Sequence, residues 1–213
     1  MSTKTPTPPP PRSSDFTRFV ESVKGVSADW RETVDTEALL RLEKDERRAA
    51  IDLLIEQLEL DDWRAPPALV AAVGRGGVMP MKRRLPLCSG RMKISIARAL
   101  VAFGTIPRTD DIVAEVLRSG DPDGGLVALS EAEELRSVEI RDALAWSCLH
   151  HPSPEVRGNA GAVLYYFSGL AEDALAWNFR PFWLPLTEED PAVRKLAFEE
   201  ICQHVGMPPD IAG

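Results

Sequence analysis

Two segments of this chain repeat one another, and the repetition restricts the fold more than any other feature. Ser153-Pro-Glu-Val-Arg157-Gly-Asn-Ala160 and Asp190-Pro-Ala-Val-Arg194-Lys-Leu-Ala197 align position for position, 37 residues apart. In each, a residue able to cap a helix precedes a proline at the first helical position, where its missing N–H is not needed. Val, Ala and a further aliphatic (Leu164, Ile201) then fall on one stripe at helical spacing, and the arginine directly follows the valine. Self-similarity at a period of about 20–50 residues marks an array of stacked units, each unable to bury its apolar face alone.

Looser copies stand earlier in the chain. One runs from Ser89 through Arg91 and Lys93 to Ala97 and Leu100, another from Asp61 through Trp63 and Ala68 to Val73. In both, the alanine sits one residue late. A helix-like segment precedes every copy, over 45–58, 78–88, 138–149 and 173–187. Leu39, Leu40, Leu42, Ile51, Leu54, Ile55 and Leu58 mark an early helical hairpin. Glycines and prolines cut the chain into pieces of ordinary helix length, and no stretch alternates long enough to suggest a sheet. The class expected is all-α. Between Gly120 and Ser137 no motif helix is recognisable, so an irregular unit or a long loop is expected there.

These segments resemble the HEAT repeat family, in which Asp-Pro-x-Val-Arg-x-x-Ala opens the second helix of each pair. The resemblance covers about residues 45 to 205 and is specific at 153–160 and 190–197. It implies a right-handed α-solenoid of about four to five stacked antiparallel helix pairs, forming one domain over 15–213. It also implies an aspartate–arginine ladder between neighbouring units, which gives Asp190, Arg157 and Arg194 structural roles.

Residues 1–14 are rich in Pro, Ser and Thr and read as a disordered tail. Proline stands where a signal peptide needs an apolar run, and no stretch approaches the roughly 20 apolar residues of a membrane span. Cys88, Cys148 and Cys202 form no CxxC. A reducing, cytoplasmic setting is expected.

Catalytic chemistry finds few candidates. His150, His151 and His204 lack the helical-turn spacing of metal ligands, and the cysteines have no neighbouring base to activate them. Gly74 to Gly77 lacks the spacing of a phosphate loop. The acidic pairs Glu133-Glu134, Glu188-Glu189 and Glu199-Glu200 suit solvated helix faces. The expectation is a protein that is not an enzyme and has no metal or cofactor.

Binding features are clearer. Net charge is −8, yet Trp63 to Thr109 contains nine cations and no acid, leaving −17 elsewhere. Lys82, Arg83, Arg84 and Arg91 are the candidates for a basic patch. The stretch 119–140 is acidic, with Glu131, Glu133 and Glu134 as candidates for contact with a basic partner. Consecutive aromatics cannot all face inward, so Tyr166, Trp177 and Phe179 are candidate interface anchors. Small acidic HEAT-like proteins are similar to immunity proteins, which neutralise a cognate toxin. That resemblance implies a protein partner, such as a basic toxin or nuclease. The alternative is a nucleic-acid-binding or DNA-repair HEAT-like protein using the basic 63–109 section. No membrane partner is expected.

Overall fold

The computed structural model describes residues 12–25, 33–72, 75–174 and 176–212. Every regular element among them is helical. The proline-rich tail lies outside the described residues up to position 11, as do Val73 and Gly74 at the glycine-rich turn. Ser14, the last residue of the expected tail, already belongs to the first helix. No helix among the described residues is long and apolar enough to cross a membrane. Within the stretch read as one domain, contacts gather into two compact units, Met1–Met81 and Lys82–Gly213.

The first unit holds α1 (Ser14–Val23), α2 (Thr36–Arg41), α3 (Lys44–Glu59) and α4 (Ala65–Ala71), and α5 (Val78–Arg84) begins before its end. Phe16, Phe19 and Val23 recur at three and four along α1, and all are buried. Ser13 caps α1 by accepting from the Phe16 N–H at 3.1 Å, and Asp35 caps α2 through the Ala38 N–H at 2.9 Å. The residues expected to mark an early hairpin, Leu39 to Leu58, fall on α2 and α3; α2 buries Ala38 and Leu39, α3 buries Ala50, Leu54 and Leu58, and α4 packs beside α3. Arg64 fastens the turn before α4, donating to Asp62 at 2.7 Å and to the Val23 carbonyl at 2.8 Å.

The second unit continues with α6 (Gly90–Ala102), α7 (Asp110–Leu117), α8 (Pro122–Ala132), α9 (Val138–His150), α10 (Pro154–Phe167), α11 (Arg180–Trp183) and α12 (Pro191–Val205). Helices α6, α8, α10 and α12 touch in that order, and α7 touches α9, so the unit has two helical layers around a shared core. Both clean motif copies open helices where the spacing predicts. Ser153 accepts from the Val156 N–H at 3.4 Å and Asp190 from the Ala192 N–H at 2.8 Å. Val156 and Ala160 are fully buried; in the second copy Ala197 is buried but Val193 is exposed, so the expected stripe is only partly covered there.

Two expectations need correction. The stretch 120–137 is no long loop: α8 occupies 122–132. Asp121-Pro122 opens it, and Ala128 sits where Ala160 and Ala197 stand in the other copies. Glycines 124 and 125 replace the Val-Arg step because neighbouring helices come too close for side chains. A β-carbon on Gly124 would lie 2.5 Å from the Gly90 backbone, and one on Gly125 would lie 3.0 Å from both His151 Nε2 and Val156 Cγ2. The second correction concerns 173–187, which is not one helix. Two 3-10 turns, Trp177–Phe179 and Leu184–Thr187, flank the four-residue α11. Pro181 and Pro185 remove backbone donors at the intervals a continuous helix would need.

The ladder between units takes a form the resemblance does not imply. Arg157 is buried, and it donates chiefly to main-chain carbonyls. These are Leu186 at 2.8 Å, and His151, Pro152, Thr187 and Glu188 at 3.1 Å. Its acidic partner is Glu189, 3.0 Å away, while Asp190 caps its own helix. Arg194 repeats the pattern on the Glu188 and Glu189 carbonyls. In the unit opened by Asp121 the arginine position is Gly125, and the buried imidazole of His151 fills the space from the following turn. Its Nδ1 accepts from the Ser153 N–H at 3.1 Å. Burial, with the charge of Arg157 adding to it, holds its pKa below the usual range and keeps it neutral.

Candidate functional site

One edge of the second unit gathers five of the residues singled out above. Helices α8, α10 and α12 lie side by side, each reached by a reversal of the chain, so their C-terminal ends share that edge. Glu133 and Glu134 leave the end of α8, and Tyr166 occupies the last turn of α10. Trp177 and Phe179 follow in the 3-10 turn before α11.

A pocket of about 290 Å³ opens there. Arg136 and Arg141, flanking the first turn of α9, form its polar wall. Leu164 and Phe167 of α10, with Val205 and Met207 at the end of α12, form its apolar wall. The Arg136 guanidinium lies over the Tyr166 ring at 4.6 Å, a cation–π contact that orients the arginine without consuming its donors. Arg141 touches the neighbouring Asp142 only at 3.3–3.4 Å, long for a charge-assisted bond.

The acidic pair stands in the chain just before Arg136. Partial burial, then repulsion from Glu134 and Asp173, raises the Glu133 pKa above its ordinary 4.5. Glu134 is exposed. Glu133, Glu134 and Asp173 thus bring like charges close together, an arrangement that a cation would stabilise.

The aromatic residues form a seat and a knob. Tyr165 is fully buried, its ring stacked on Phe179 at 4.7 Å and its hydroxyl 2.7 Å from His204 Nδ1. Burial, then the charge of Glu200, pushes its pKa up to about 12. Phe182 completes the seat, edge-on to His204 at 4.8 Å. Trp177, two residues before Phe179, is 75% exposed, with the Arg180 guanidinium over its indole at 4.7 Å.

The remaining candidates lie elsewhere. Glu131 turns to Arg98, 3.0 Å away. Lys82 and Arg83 are exposed and Arg84 half-buried at the end of α5, and Arg91 is half-buried on α6. Other cations of the acid-free section have carboxylate partners: Lys93 with Glu115, Arg108 with Asp110 at 2.6 Å, and Arg64 with Asp62.

The three cysteines are buried thiols. Burial, then Glu199, pushes the Cys202 thiol up to about 11, and burial raises Cys148 further. Both stay protonated near neutrality. Among the described residues no group of three or more His, Cys, Asp or Glu could hold a metal ion.

Sequence reasoning missed Arg141 and the apolar wall, since the pocket joins segments about 30 to 40 residues apart. Arg136 carried a signal as the lone cation in the acidic stretch. Against family models, curated proteins and solved structures alike, the chain shows no match.

Proposed function

We propose that the chain is a non-enzymatic protein-binding module whose second unit is a HEAT-like α-solenoid. In this reading the pairs α7–α8, α9–α10 and α11–α12 are stacked repeats, and the partner is gripped along the edge where α8, α10 and α12 end. One observation carries the reading. Trp177 stands exposed with the Arg180 guanidinium stacked on its indole, two residues before Phe179, whose ring packs on the buried Tyr165. Trp, Tyr and Arg are the residues that dominate interface energies. Glu133 and Glu134 nearby favour a basic partner and a salt-sensitive encounter. A soluble basic toxin neutralised by an immunity-type protein has this chemistry, and the cytoplasm would be the place of such an encounter.

The test is affinity capture on the purified full chain from native lysate, repeated with Trp177→Ala and with the double change Glu133→Lys, Glu134→Lys. A captured protein lost with either variant supports the reading; capture indifferent to both removes this edge from it. Where the captured protein is a nuclease, adding the chain should stop it cutting DNA.

Exposed Lys82 and Arg83 favour a second reading, in which nucleic acid is the partner. An electrophoretic shift of duplex DNA that persists at moderate salt, and is lost with Lys82→Glu, Arg83→Glu, would support it over the first.

A further inference from the structure

We infer that the pocket between α9, α10 and α12 receives the C-terminal residue of the partner chain, an apolar residue preceded by basic ones. This rests on the protein-binding reading and deepens it.

The pocket presents two chemistries at once. Arg136 and Arg141 offer guanidinium donors on one wall, and Leu164, Phe167, Val205 and Met207 offer an apolar surface on the other. Guanidinium groups match carboxylates because their fork of N–H donors meets two oxygens together. A carboxylate on an acidic side chain brings no apolar group with it. A chain terminus ending in an aliphatic or aromatic residue carries carboxylate and apolar side chain on the same carbon, so both walls are met by one residue. The volume, about 290 Å³, is that of a small site, enough for one such residue and too small for a folded surface.

The surroundings choose a chain over a free acid. Glu134 is two residues from Arg136, so its backbone lies at most about 7 Å away along the chain. A small free carboxylate gains nothing from the Glu133–Glu134 pair and is repelled by it. Lysine or arginine residues ahead of the terminus match the Glu133–Glu134 pair, where partial burial and then the repulsion of like charges raise the Glu133 pKa. Val138, 57% exposed at the mouth, gives the departing chain an apolar ledge.

The experiment uses the full chain and a fluorescein-labelled peptide, Lys-Arg-Lys-Gly-Leu, with a free terminal carboxylate, read by fluorescence polarisation. Comparison peptides carry a C-terminal amide, a terminal Glu in place of Leu, or Ser for each basic residue. Free 4-methylpentanoate serves as a competitor. The amide and the Glu-ended peptide should each bind at least about tenfold more weakly, the expected loss when a charge-assisted bond or an apolar side chain goes unmet. Arg141→Gln should produce the amide's loss in the free-acid peptide and no further loss in the amide, while the circular dichroism stays that of the parent chain. Glu133→Gln with Glu134→Gln should weaken the basic peptide and leave the serine peptide unchanged.

Equal binding of acid and amide would overturn the proposal, as would 4-methylpentanoate competing as tightly as the peptide. If the peptides behave alike while lysate capture still depends on Trp177, the pocket assignment fails and the binding module stands. If capture also ignores Trp177, the module reading fails with it.

Discussion

His151 Nε2 stands 3.0 Å from the point where a side chain on Gly125 would begin. The ring fills the space that the arginine of the motif occupies in the following copy, and the glycine is what admits it. Gly125→Ala should therefore destabilise the chain by about 1–3 kcal/mol, the usual cost of overpacking. His151→Ala in the same chain should recover part of that loss, since the two changes share one space. Urea denaturation of the four proteins in the cycle checks this; purely additive losses would contradict the contact.

Arg157 should be among the most sensitive positions. Its replacement by Leu leaves carbonyls of two turns without donors in a buried setting, a cost of about 3 kcal/mol or more. Lys at this position should restore little, having a single charged head in place of the planar fork. Glu189, its ionic partner, is 80% exposed, and Glu189→Ala should cost less than about 1 kcal/mol. Denaturant midpoints that ranked the acid above the arginine would contradict the main-chain role.

Glu133 sets a pH dependence of known sign. Its carboxyl has a higher pKa in the folded chain than its ordinary 4.5, so the folded state holds the proton more tightly and loses stability as pH rises through that window. Above the window the penalty is complete. Glu133→Gln should raise the melting temperature at pH 7, and the gain should vanish once the pH is well below 4.5. A gain of equal size at both pH values would show that charge is not its cause.

Tyr165 should titrate late. An ultraviolet titration of the phenolate should show an ionisation only near pH 12, missing from Tyr165→Phe. The same substitution deletes the bond to His204 and should cost about 0.5–1.5 kcal/mol.

How far the chain could be read without coordinates follows from where its signals lie. The copies at 153–160 and 190–197 carry cap, proline and stripe in one contiguous run, so the sequence alone places α10 and α12. The run from Asp121 through Pro122 to Ala128 keeps the same register, but Gly124-Gly125 stands in place of Val-Arg. Adjacent glycines speak locally for a turn, and only the approach of Gly90 explains them as helix. In 173–187 the apolar spacing suggested a helix while Pro181 and Pro185 forbade a continuous one. The acidic and aromatic candidates at the edge were legible as composition. Their assembly around Arg136 and Arg141 was not, because it depends on three helix ends meeting.

The way Arg157 is held has a consequence for how the protein can vary. Its bonds go mostly to peptide oxygens, which every residue supplies, so the exposed positions of the turns at 151–152 and 186–188, Pro152 and Glu188, can exchange their side chains over generations without loosening the joint, while the buried His151 and Leu186 stay fixed by packing. What the turns cannot do is change length or path. Substitutions at the exposed positions should be forgiven, whereas a single inserted or deleted residue should not.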